Sequence, residues 1–120
     1  MKRKEFLMSQ SIGDIRTLNK DVHKLHKKCL KIWFNFSESE DRDIFEDMSE
    51  LKRVVNILSR YESWVNPVKE DDNAELSESL ILEVMYVTDY YLHKLNEKKT
   101  AHSRLRMEIL GDGIGEGGSI

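Results

Sequence analysis

The chain has one cysteine, Cys29, and one proline, Pro67. A lone cysteine excludes an internal disulfide framework. A single proline with only six glycines excludes collagen-like sequence and most all-β designs, which need frequent turn residues. No run of 18 apolar residues occurs, so no transmembrane helix is expected. Residues 1–10 are basic but lack a long apolar stretch, which argues against a secretory signal. Catalytic motifs are equally scarce. No G-x-S-x-G occurs, and no E-x-x-H of a carboxylate di-iron bundle. The glycines from Gly111 to Gly115 follow a helix-forming stretch, whereas a phosphate loop must open a helix.

What the sequence does have is charge and helical periodicity. Its 120 residues make one domain. Charged residues make up 34%, well above the roughly 25% of an average soluble domain. Apolar residues recur at Ile15, Leu18, Val22, Leu25, Cys29, Ile32 and Phe36, in alternating steps of three and four, which is a heptad stripe. This spacing predicts a first helix over about residues 12–36, capped by Ser11 or Asp14. Ser37 and Glu40 fit a capping box, so a second helix is expected over about 39–65, carrying Ile44, Met48, Leu51, Val55, Leu58 and Val65. Glu62 fills the slot where the stripe calls for an apolar residue. Asn66-Pro67 ends that helix. A third helix is expected from about Ala74, capped by Asn73, with a broad apolar face through Leu95 that suits contact with two neighbours. No Gly or Pro interrupts 74–110, which favours one continuous helix over a short fourth segment.

The expected fold is all-α: an antiparallel up-down-up three-helix bundle over 11–110. A flexible basic leader over 1–10 precedes it, and a flexible Gly-rich tail over 111–120 follows. Helices of about 25 residues span about 37 Å, and such elongated bundles leave an apolar stripe that a second copy can cover. A homo-oligomer is the expectation.

Charge is segregated along the chain. Residues 1–31 carry a net +6, residues 38–50 a net -6, and residues 70–89 a net -7. Each helix starts acidic and ends basic, the order that the macrodipole favours. In an antiparallel bundle, basic ends lie beside acidic starts. The competing reading is a nucleic-acid surface: Lys20, Lys24, Lys27, Lys28 and Lys31 precede Trp33 and Phe34, and single strands favour basic residues beside aromatics.

His23, His26 and Cys29 form H-x-x-H-x-x-C, a spacing that puts neighbours on one helix face. A structural zinc site needs four ligands, and Cys29 lies on the apolar seam, so His23 and His26 are a weak metal candidate. Six carboxylates crowd 38–47 at a solvated helix start, without the desolvated partner that acid–base catalysis requires. Trp33 and Phe34, about 100° apart, cannot both face one partner helix. Trp33, Phe34, Trp64 and Tyr90 are therefore the candidate interaction residues.

These observations lead to a non-enzymatic helical protein–protein interaction module (an adaptor, inhibitor or assembly factor) that self-associates. No cofactor and no membrane partner is expected, and a cytoplasmic location is. The alternatives are nucleic-acid binding through the lysines of the first helix and a small-ligand or metal-binding bundle using His23 and His26.

Overall fold

The computed structural model describes residues 1–67 and 74–118, with side chains up to 105 except those of 12 and 102. It is mostly helical, with four α-helices and no strand among the described residues. They are α1 (Arg3–Ser9), α2 (Ile12–Phe34), α3 (Met48–Val65) and α4 (Glu78–Gly118).

The heptad stripe forms α2 where the spacing places it. Ser11 caps the helix, its Oγ accepting from the Asp14 amide at 3.1 Å. Ile15, Val22, Leu25, Cys29 and Ile32 are buried, with Leu18 and Phe36 packed at the margin. Against them lie Leu51, Val54, Leu58 and Tyr61 of α3, and Leu80, Val84, Val87 and Tyr91 of α4. The cross-helix contacts are ordered. Tyr61 donates to Asn19 at 2.7 Å, and the Lys52 ammonium lies over the Trp33 ring at 5.8 Å, so α3 numbers fall as α2 numbers rise. Between α3 and α4, the Trp64 indole donates to the Ala74 carbonyl at 3.2 Å. Arg53 meets Glu83 at 3.2 Å, and the Tyr91 hydroxyl donates to Glu50.

Three features depart from the sequence expectation. First, the second helix starts at Met48, not near 39. Residues Phe36–Glu38 and Arg42–Ile44 form short 3-10 turns. Asp47 caps α3, its carboxylate accepting from the Glu50 amide at 2.9 Å, while Glu50 accepts from the Glu46 amide at 2.7 Å. Asp47 and Glu50 make as good a capping pair as Ser37 and Glu40. Tertiary packing decides between them. Phe45 is extended and stacks on Tyr91 with ring centroids 4.9 Å apart. Second, α4 starts at Glu78. Ser77 caps it, accepting from the Leu80 amide at 3.1 Å; Asn73 lies outside the described residues. At the far end, α4 runs through Gly111, where a stop and a flexible tail were expected. No proline intervenes, and a glycine costs a helix only about 1 kcal/mol relative to alanine.

Third, the basic leader is not a free arm. It folds as α1 and sinks Phe6 to 1% exposure. The Phe6 ring lies 5.4 Å from Trp64 and 6.2 Å, edge-on, from Tyr61. Lys2 pairs with Glu75 in an isolated antiparallel bridge, which holds α1 against the strand-like entry to α4. Charge alone made this segment look solvated, but one aromatic ring outweighs it. Fully burying a large apolar side chain contributes about 1.5–3 kcal/mol.

Phe6→Ala should therefore cost about 3–5 kcal/mol in urea denaturation, the usual range for emptying a buried Phe site. Leu7→Ala, at an exposed neighbouring position, should stay within about 0.5 kcal/mol. Equal small effects would mean that α1 is not part of the folded body.

Candidate interaction surfaces

The four aromatic candidates separate in the structure. Phe34 is 95% exposed at the last position of α2. Trp33 is partly exposed beside it, with Lys52 over its ring, and Leu30 is exposed one turn earlier. Trp64 does not belong to a surface patch: it is 6% exposed, packed on Phe6 and Tyr61, and its indole N–H is satisfied. It follows Ile57, Leu58 and Tyr61 at helical spacing and therefore shares their inward face.

Tyr90 is partly exposed on α4 and belongs to a row that the sequence reading missed. Leu82 (65% exposed), Tyr86 (66%) and Tyr90 (39%) stand four residues apart on the outer face of the helix. Tyr86 and Tyr90 stack with centroids 5.8 Å apart, and the Lys94 ammonium lies over Tyr90 at 4.7 Å. The broad apolar face read from the sequence, Leu80 to Leu95, is buried or half-buried, and this row stands outside it.

The lysines also divide. Lys28 is paired with Asp41 at 2.8 Å. Lys98 of α4 joins the same acidic segment through Asp43 and the Glu40 carbonyl, and its hydrogen bond holds the Asp43 carboxyl below its ordinary value. Lys20, Lys24, Lys27 and Lys31 are exposed and have no carboxylate partner among the described residues. Their steps of four, three and four put them on one outward stripe of α2.

His23 and His26 face α3, where both meet Glu62. The His26 Nδ1 is 2.9 Å from one carboxylate oxygen, and the His23 Nδ1 is 3.5 Å from the other. Glu62 stands in the apolar stripe because it has these two partners. No group of three or more His, Cys, Asp or Glu side chains is placed to hold a metal ion among the described residues. His93 lies elsewhere, paired with Glu97 at 3.0 Å.

Between α2 and α4 runs a groove of about 1140 Å³. Leu18, Met85, Leu92 and Leu95 line it and are half-buried. Thr88 also lines it. This residue is 3% exposed, and its hydroxyl has no hydrogen-bond partner among the described residues. Such an orphan costs about 1–3 kcal/mol. No helix among the described residues is long and apolar enough to cross a membrane.

Cys29 lies in the core, where burial pushes its thiol up to about 12. Tyr61, buried beside the same stripe, is likewise pushed up to about 12. A folded pKa raised above the unfolded value means that stability is full below the unfolded pKa and is lost as pH rises towards the folded one. Unfolding free energy should therefore fall as pH rises above about 9 on account of Cys29 and above about 10 on account of Tyr61, towards about 12. Cys29 should resist a thiol reagent at pH 8 until denaturant is added. Rapid labelling of the native protein would place the thiol at the surface.

Comparison of the chain with protein-family models, curated proteins and solved structures found no match.

Proposed function

We propose that the protein is a non-enzymatic, self-associating protein–protein interaction module, built as an antiparallel up-down-up bundle of α2, α3 and α4. The observation that carries this reading is the row of Leu82, Tyr86 and Tyr90. Three large apolar side chains stand in line on a face that is left exposed among the described residues. Tyrosines anchor interfaces because each brings a large apolar area with a polar tip at low entropic cost. The opposite order of the α2–α3 and α3–α4 contacts supports the bundle topology. Phe34, exposed on a different helix, is a second anchor.

The test is sedimentation velocity over a concentration series. The wild type should self-associate. The L82E/Y86E double variant should associate at least about tenfold more weakly, with unchanged circular dichroism and melting temperature, because exposed positions tolerate such changes. A wild type that stays monomeric at high concentration, or a variant that associates equally well, would sink the reading.

A second reading, nucleic-acid binding, draws on the stripe of Lys20, Lys24, Lys27 and Lys31, which has no carboxylate partner among the described residues. Four phosphate contacts to a single strand predict that log affinity falls with log salt at a slope of about -3. A flat salt dependence would end it.

A further inference from the structure

The groove between α2 and α4 is polarised. Asp41 reaches both Lys28 and Lys98, which gathers basic residues of α2 and α4 at one end of the groove. From that end α2 and α4 run back in the same direction, both opposed to α3. Lys24, Lys31 and Lys99 line one end of the groove, exposed and without a carboxylate partner among the described residues. Asp14, Asp21 and Asp89 line the other end and make no ion pair among the described residues. The apolar floor runs along the groove, with Leu18 and Met85 beside the acidic end and Leu92 and Leu95 between Asp89 and Lys99. Thr88, with its unpartnered buried hydroxyl, stands beside Asp89. It lies ten residues before Lys98, or about 15 Å along the helix.

We infer that this groove receives an amphipathic helix from a protein partner, acidic in its first turns and basic in its last. The inference rests on the interaction-module reading and adds a second, separate surface to it. The occupant's apolar stripe covers Leu18, Met85, Leu92 and Leu95. Its acidic start meets Lys24, Lys31 and Lys99, and its basic end meets Asp14, Asp21 and Asp89. A polar side chain in its second half supplies the bond that the Thr88 hydroxyl lacks. This orientation runs antiparallel to α2 and α4, the arrangement their macrodipoles favour, and it is also the charge order that stabilises the occupant itself. A uniformly anionic ligand would fit one end and be repelled at the other. A fourth helix seated here completes a four-helix bundle.

The probe is a designed peptide of about four turns, with glutamates in the first turn, leucines at i, i+3, i+4 and i+7, and lysines in the last turn. Its control exchanges the glutamates and lysines. Fluorescence anisotropy should show the wild-type protein binding the acidic-first peptide at least about tenfold more tightly than the control. The K24E/K31E/K99E variant, with its circular dichroism unchanged, should lose that preference, because both ends of its groove are then acidic. Equal affinity of the wild type for the two peptides, or no binding of either, overturns the proposal. So does tighter binding of an oligothymidylate than of the acidic-first peptide, which would favour the nucleic-acid reading. A dimer formed without peptide and dissociated by K24E/K31E/K99E would assign the groove to a second copy instead. Failure here leaves self-association through Leu82 and Tyr86 intact, so the two readings fail separately.

Discussion

Removal of the α2 stripe from water is the interaction on which everything else rests. Val22, Leu25 and Cys29 have no exposed surface, and Ile32 almost none. They are covered from two sides, by α3 and by α4. Neither neighbour could stay in place without them, because most helical stability in a folded protein comes from packing of the amphipathic face. The polar contacts across the helices tune this arrangement. An exposed ion pair such as Arg53–Glu83 contributes about 0–1 kcal/mol, whereas each large apolar side chain that is fully buried contributes about 1.5–3 kcal/mol. The pairs select which ends meet, and the stripe supplies the cohesion.

One consequence is a division of labour among the faces of α4. Its inner face (Leu80, Val84, Val87 and Tyr91) is committed to the core. Its outer face carries Leu82, Tyr86 and Tyr90, and its flank borders the groove with Met85, Leu92 and Leu95. A single helix thus serves as structural member, exposed patch and groove wall at once. The 66 Å long axis of the molecule reflects the same economy, because 41 residues of helix span about 60 Å.

The path of α2 was legible in the sequence because seven apolar residues held one register without interruption, and no other structure buries such a stripe. The start of α3 was not legible. Two cap signals, Ser37 with Glu40 and Asp47 with Glu50, compete within ten residues, and the choice depends on Phe45 reaching Tyr91, a contact 46 positions away in the chain. Phe6 was overlooked because a seven-residue helix is too short to show periodicity and its neighbours are charged. Trp64 was read as a surface anchor from its residue type alone, although its spacing from Ile57 and Tyr61 already placed it on the inward face. Glu62 was the opposite case. A carboxylate in an apolar slot was a visible signal, but its two histidine partners sit on another helix. The groove was not legible, because the side chains that line the space between two helices depend on their register and packing, a tertiary property.

The two tryptophans end up in opposite environments, and this gives the molecule a pair of built-in optical reporters. Trp64 is sealed against Phe6 and Tyr61, so its emission follows the docking of α1 on the core. Trp33 sits at the solvent boundary under the Lys52 ammonium, where a charged quencher can reach it. Iodide and acrylamide would therefore separate events at the two ends of α2 without any added label.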